Sequence, residues 1–304
     1  MKSHSISRRA VLGGAVGAVL ATSPSTRAST EPDPIGTPVL YVSHGSPLFM
    51  PGNEARRSEL AAWGAASLQR PRGIIVMTPH YGSRVRAGRL EIGRVGTGVA
   101  LVDLPPVLAR RLPPNLAYAT PSNEELARQV EDALGGPDAV VRGDRPGFDH
   151  TTWMPLACLF PKADVPVLEV AYPYVPERDL FALGARLAPL RHHDVVFVAS
   201  GQATHNLAMP FGGTAAPPGW SVDFDAWFAE RVSSNDVDAL LDWRAKAPAA
   251  DLAHPDDGGH YRVLLAALGV ALTGPYAATS AGFPVRGFEW SMSKRCVELR
   301  AAPR

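Results

Sequence analysis

The sequence predicts an α/β fold: a single domain with a central, largely parallel sheet flanked by helices. Short β-branched runs bounded by Gly, Pro or Asp recur along the chain and read as buried strands. They alternate with longer segments whose apolar residues fall at helical spacing, the pattern of strands joined by crossover helices. At 304 residues and 46% hydrophobic, the chain is long enough to bury a large core. No break in composition divides it, so one domain from about residue 36 to 304 is expected.

Taken in order, Pro38 to Ser43 is the first strand, followed by a Ser43-His44-Gly45-Ser46-Pro47 turn and a helix from Glu54 to Leu68. Gly73 to Thr78 is the second strand, and short strand-like segments fill Val85 to Asp103. Pro121-Ser122-Asn123 is an N-cap sequence for a helix from Glu124 to Leu134, with Glu125 and Glu131 on its outer side. A short strand at Ala139 to Arg142, an apolar helix at Met154 to Phe160 and a buried strand at Val165 to Ala171 follow. Next come a helix from Glu177 to Leu190 and the most hydrophobic strand, ending at Ser200. Helices at Phe224 to Ser233, Val237 to Ala245 and Gly259 to Leu272 precede a last strand or turn at Val285 to Met292.

The N-terminus is set apart. Arg8-Arg9 opens a small-residue apolar stretch from Ala10 to Ala21, then a polar segment with candidate cleavage sites near Ala21 or Ala28. This reads as a twin-arginine export signal over residues 1–30, which implies the twin-arginine machinery as a partner and a periplasmic or secreted protein. The alternative is a membrane anchor, but about 12 apolar residues fall short of the roughly 20 that span a bilayer. No stable membrane insertion is therefore expected. A balance of 30 basic against 29 acidic residues, with no long basic run, argues against a nucleic-acid partner. Cys158 and Cys296, the two cysteines, form no C-x-x-C and are read as buried and unpaired.

The chemistry-bearing residues are histidines. His44, His80 and His205 follow apolar runs, and His260 opens the last long helix. Ligands of open α/β sheets bind at the carboxyl ends of the strands, and neutral imidazole is the commonest ligand of zinc, iron and copper. A metal site at the C-terminal ends of the strands is the expectation. His192 and His193 lie in a polar turn and read as surface residues. Gln202 and Asn206 flank His205 and read as loop braces or plain caps. No H-E-x-x-H, G-x-S-x-G, G-x-G-x-x-G or Walker A pattern occurs, which removes support for a zincin, an α/β-hydrolase or a nucleotide-binding protein.

Five ordered motifs and a C-terminal stretch together resemble a known family. They are Ser43-His44-Gly45-Ser46-Pro47, Pro79-His80-Tyr81, Phe148-Asp149-His150-Thr151-Thr152-Trp153, Ser200-Gly201-x-x-Thr204-His205-Asn206-Leu207, and His254-Pro255 followed by His260, with Trp290-Ser291-Met292-Ser293 closing the chain. The order and content are similar to the class III extradiol ring-cleavage dioxygenases, of the DOPA 4,5-dioxygenase type. The resemblance implies a non-haem Fe(II) or Zn(II) centre held by His44, His80 and His260, with His205 beside it as general base or fourth ligand. It also implies that His150 and His254 line the substrate side, His150 with a part in catalysis, and that the partners are a small catechol-type aromatic and O2. Three neutral imidazoles leave coordination positions open, as a catalytic metal site requires.

Two departures stand out. The His254-Pro255-Asp256-Asp257-Gly258-Gly259-His260 stretch is one residue longer than the family's, with Gly259 where Glu is common, which makes Asp256 or Asp257 an alternative carboxylate ligand. The family's substrate-loop elements are unrecognisable between Gly93 and Ala119, where Leu104-Pro105-Pro106 and Leu112-Pro113-Pro114 stand, so substrate identity does not transfer. The rival readings are a zinc-dependent hydrolase or lyase on the same scaffold, and a non-catalytic protein that binds a metal or an aromatic ligand.

Overall fold

Four of the expected runs become neighbouring strands of one six-stranded sheet: β1 (Val39–Ser43), β2 (Gly73–Met77), β3 (Val167–Glu169) and β4 (Val195–Gly201). The structure is a computed structural model, and it describes residues 36–46, 52–83, 89–101, 106–110, 118–208 and 216–301. The expected export signal and the Leu104-Pro105 and Leu112-Pro113-Pro114 sequences lie outside the described residues. β5 (Ser280–Gly282) and β6 (Val297–Arg300) complete the sheet, in the order β5-β6-β1-β4-β2-β3. The β1–β4, β4–β2 and β2–β3 pairs are parallel, and β6 runs antiparallel to β1 and β5. The sequence predicts a last strand or turn at Val285 to Met292. That stretch instead belongs to a two-strand ribbon, Phe288–Glu289 with Met292–Ser293, and the sheet strand comes later.

Side-chain alternation divides the core. Leu40, Val42, Ile74, Val76, Val196 and Val198 face one layer with Trp63, Trp153 and Leu156, while Tyr41, Ile75, Phe197 and Leu168 face the other with Phe224, Phe228 and Leu264. Both faces are covered, which is why the parallel strands read as continuous apolar runs rather than alternating ones. The first layer holds α1 (Glu54–Ser67) and part of α3 (His150–Leu159). The second holds α2 (Glu124–Ala133), α4 (Glu177–Leu187), α5 (Gly219–Ser233) and α6 (Gly259–Leu272). α4 and α6 meet through glycines: a Cβ on Gly184 would sit 1.9 Å from the Ala266 carbonyl oxygen, and one on Gly269 would sit 2.0 Å from that of Phe181. Among the described residues no helix is long and apolar enough to cross a membrane. Cys158 and Cys296 are both buried with free thiols.

Local differences from the sequence reading have physical causes. α3 starts at His150, four residues before the apolar run, because the Asp149 carboxylate caps it by accepting from the Thr151 amide at 3.0 Å. Asn123 stands at the cap position of α2, but its side chain does not cap. Its Oδ1 accepts from the Gly96 amide and its Nδ2 donates to the Val167 carbonyl, each at 2.8 Å, which ties the helix start to β3. Glu131, expected on the outer side, is buried, because Arg142 pairs with both of its oxygens at 2.6 and 3.0 Å.

Register sets up the functional end of the sheet. Ser43 pairs with Gly201, and Met77 pairs with Ala199. Three adjacent parallel strands therefore release their chains on one rim, and the residues that follow them are His44, His80 and the loop carrying His205.

Candidate metal centre

His44 follows β1 directly and is buried. Its Nδ1 lies 3.1 Å from Ser200 Oγ, and Ser200 Oγ lies 2.5 Å from the Thr151 carbonyl oxygen. A hydroxyl has one proton, and a carbonyl only accepts. Ser200 therefore donates to Thr151 and must accept from His44, so Nδ1 of His44 carries the proton and Nε2 keeps its lone pair. The Thr151 carbonyl is available because Pro155, inside α3, has no N–H to donate back to it.

His80 is the most open member, with its side chain 33% exposed and Nδ1 3.7 Å from Asp149 Oδ2. The Asp149 carboxylate is itself fixed. Thr151 Oγ1 donates to Oδ1 at 2.6 Å, and Arg145 donates to Oδ2 at 2.9 Å. Burial pushes this carboxyl up, and the Thr151 and Arg145 interactions outweigh it, holding the group below the ordinary carboxylate range. Thr78 donates to Thr151 Oγ1 at 2.8 Å, which links the end of β2 to the same network.

His260 is the second residue of α6. The residue before the helix, Gly258, has φ +74°, and a Cβ there would strike the Trp243 ring at 2.4 Å, so the turn that delivers His260 requires glycine. The His260 ring lies 5.2 Å from that of His44 and 5.3 Å from that of His80, centroid to centroid. One donor nitrogen from each of His44, His80 and His260 lies within 4.8 Å of the others. Nε2 of His260 is buried without a hydrogen-bond partner. Burial, then the neighbouring imidazoles, lower the pKa of both His44 and His260 well below the ordinary histidine range, so both rings are neutral with lone pairs to offer. Neutral imidazoles converging on one point, one with an otherwise unsatisfied buried nitrogen, fit a divalent metal.

His205 stacks on His260, with centroids 3.5 Å apart and planes 14° from parallel. Its Nδ1 lies 3.6 Å from Asp256 Oδ2. Asp256 and Asp257 each accept from a turn amide, of Gly258 at 2.9 Å and Gly259 at 3.0 Å. The longer loop therefore does not displace His260 from the cluster, and Asp256 faces His205. A second set of potential donors, His205, Asp256 and His260, shares this corner. His150 opens α3, with its ring 5.0 Å from that of His80.

Residues 38–287 match the family described as the catalytic LigB subunit of aromatic ring-opening dioxygenase. The chain belongs to this family. It is 28% identical over 238 residues to the 4,5-DOPA dioxygenase extradiol of Beta vulgaris, covering 76% of this chain and 85% of that one. It is likewise 28% identical over 280 residues to the 4,5-DOPA dioxygenase extradiol of Escherichia coli K12, covering 86% and 94%. The crystal structure of the uncharacterized protein JW3007 from Escherichia coli K12 shares the fold, with a TM-score of 0.66 at 24% identity, over 86% of this chain and 99% of that one.

In this member of the LigB family one expected position changes meaning. His254, expected on the substrate side, is fully enclosed, with Nε2 2.9 Å from the Ala203 carbonyl oxygen and with Phe224, Trp243 and Tyr261 edge-on around the ring. It sits beneath the 201–206 loop as a support and offers no face to solvent. Burial drives its pKa down to about 4. Gln202 and Asn206 do brace that loop. Gln202 accepts from the Gly45 amide at 3.0 Å and donates to the Ser293 carbonyl at 2.6 Å, and Asn206 donates to the Leu252 carbonyl at 2.7 Å.

The roles of Ser200, Thr151 and Asp149 escaped notice in the sequence, although all three lie inside the quoted motifs; Asp256, named there as an alternative ligand, faces His205. Also missed was the brace formed by Asp225, whose Oδ1 accepts from Ser293 Oγ at 2.5 Å and from Arg295 Nε at 2.8 Å. The Ser-Met-Ser stretch is where it could have been suspected, since Ser293 also donates its amide to Thr204 Oγ1 at 2.7 Å.

Proposed function

We propose that this protein opens catechol-type aromatic rings beside a hydroxyl with O2, as an extradiol dioxygenase whose metal is held by His44, His80 and His260. The observation that carries the reading is the convergence of those three imidazoles from two strand ends and a helix start, with Nε2 of His260 buried and unpartnered. When bound, the metal supplies Lewis-acid chemistry and, if it is iron(II), the redox chemistry that a spin-paired aromatic needs to react with O2.

The chain's own groups do the rest. His205, 16% exposed at the open side of the cluster, takes a phenolic proton from the bound catechol and returns it later in the cycle. His150, at the amino end of α3, donates to a substrate oxygen where the helix dipole also favours negative charge. The Gln202 and Ser293 bonds hold the His205 loop so that proton transfer occurs at a fixed distance. The relatives' name points to a catechol with an amino-acid side chain as one member of the test panel.

The test loads purified protein anaerobically with Fe(II) and follows O2 uptake across a catechol panel. Stoichiometric uptake with a yellow semialdehyde product is expected, and no uptake with any catechol would sink the reading. Zinc does no redox chemistry; a zinc-loaded protein that hydrolyses substrates without O2 would instead favour the hydrolase or lyase reading. His44→Ala and His80→Ala should abolish metal retention. His205→Ala should keep the metal and lose turnover, and loss of metal there would make His205 a ligand. Export through the twin-arginine route belongs to the same proposal. Arg8→Lys with Arg9→Lys should keep the protein in the cytoplasm on fractionation, and unchanged export would refute that route.

A further inference from the structure

We propose that Asp256 is a positioning residue for His205: it holds the ring in the Nδ1–H tautomer, so that Nε2 is the nitrogen presented to substrate. The proposal rests on the reading of His205 as the proton acceptor above, and it concerns a carboxylate in the loop that leads into His260.

Asp256 is fixed before it meets His205. Its Oδ1 accepts from the Gly258 amide at 2.9 Å, and its own carbonyl accepts from Arg244 at 2.8 Å. Arg244 also donates to the His254 carbonyl at 2.7 Å, so the 254–256 segment is clamped from one side. The remaining oxygen, Oδ2, lies 3.6 Å from Nδ1 of His205. Catalytic hydrogen bonds are commonly this long before substrate arrives.

The backbone holds the same two segments together. The His205 amide donates to the Ala253 carbonyl at 2.8 Å, the Gln202 amide donates to the His260 carbonyl at 3.0 Å, and His254 Nε2 donates to the Ala203 carbonyl at 2.9 Å. His205 and Asp256 therefore sit on two segments that cannot drift apart independently. A carboxylate can only accept, so it selects the tautomer with the proton on Nδ1 and leaves the Nε2 lone pair free. On the far side, the ring plane is set by stacking on His260.

Asp256→Asn makes a sharp test because one of its side-chain atoms is already committed. The Gly258 amide needs an acceptor, so the amide oxygen of Asn turns to it and the NH2 faces Nδ1 of His205. The substitution should keep the turn and reverse the tautomer. The experiment uses the full chain loaded with Zn(II) and labelled with 15N-histidine, read by long-range proton–nitrogen spectra, with His205→Gln assigning the signal.

The expected result is His205 in the Nδ1–H form in the wild type and in the Nε2–H form in Asp256→Asn. Zinc content should be unchanged. In the Fe(II)-loaded enzyme, kcat should fall about 100-fold with little change in KM, as for the loss of an orienting carboxylate. The same tautomer in both proteins, or an Nε2–H wild type, overturns the proposal. Loss of zinc from Asp256→Asn also overturns it, by making Asp256 a ligand. A tautomer switch in a protein that consumes no O2 with any catechol upholds the positioning and defeats only the dioxygenase reading.

Discussion

Acidifying the metal-free protein tests the structural account of His254 directly. The ring is fully buried, and its pKa falls from the ordinary value of 6.5 to about 4, first because burial disfavours the cation. The folded pKa is the lower one, so between these values the unfolded chain binds a proton that the native protein does not. The stability this group contributes is therefore complete above pH 6.5 and is lost as the pH falls through the window down to about 4. Each pH unit inside the window is worth about 1.4 kcal/mol, so about 2 kcal/mol should be gone at pH 5 and about 3 kcal/mol at pH 4. Glu169 works in the opposite sense. Burial raises its carboxyl to about 7, so its folded form holds a proton that the unfolded chain releases, and its contribution declines as pH rises from 4.5 to 7. A simple pH titration of stability mixes these two with His44, His260, Asp149 and Asp256, whose pKa values are also shifted. A comparison with His254→Gln isolates the His254 contribution, because Gln keeps a donor for the Ala203 carbonyl and does not titrate, while Glu169 and the other groups are present in both proteins. Urea unfolding of chelator-treated wild type and variant at pH 7 and pH 5 gives the four free energies needed. The wild-type advantage should shrink by about 2 kcal/mol on going to pH 5. An advantage that stays the same at both pH values would show that His254 is not held neutral by its surroundings.

Other outcomes follow from the same geometry. Ser200→Ala removes the acceptor for His44 Nδ1 and the donor to the Thr151 carbonyl, so zinc affinity measured by calorimetric titration should drop about 10- to 100-fold; unchanged affinity would disprove the tautomer relay. Gly269→Ala would push a methyl group to 2.0 Å from the Phe181 carbonyl oxygen, so α4 and α6 must separate, at about 2–3 kcal/mol or more in urea unfolding. Gly219→Ala, with nothing within 4 Å of the added carbon, is the control and should leave stability unchanged or raise it slightly, and equal losses at the two sites would refute the packing argument.

The strands and the rim histidines were legible because they depend on periodicity and position along the chain. A run such as Val195–Gly201 reads as a buried strand wherever it sits, and a histidine just past it is carried to the strand's carboxyl end. Strand order was not legible, yet it decides the site. His44, His80 and His205 meet only because β4 lies between β1 and β2, although it is the last of the three in sequence. The burial of His254 was not legible for a related reason. Its spacing from His260 resembles a family motif, but spacing does not say which side of a loop a ring takes, and the Phe224, Trp243 and Tyr261 rings that enclose it come from three separate helical segments. The supporting groups are further still from sequence logic. Ser200 matters to His44 through one hydroxyl proton, whose direction is fixed by the Thr151 carbonyl, a group that Pro155 leaves without a helical donor. Local patterns therefore nominated the candidate ligands, while the atoms that set the His44 tautomer are tied together only by tertiary hydrogen bonds. Asp256 likewise shows its surroundings only in the folded chain: one of its carboxylate oxygens is held by the Gly258 amide, and the other faces His205.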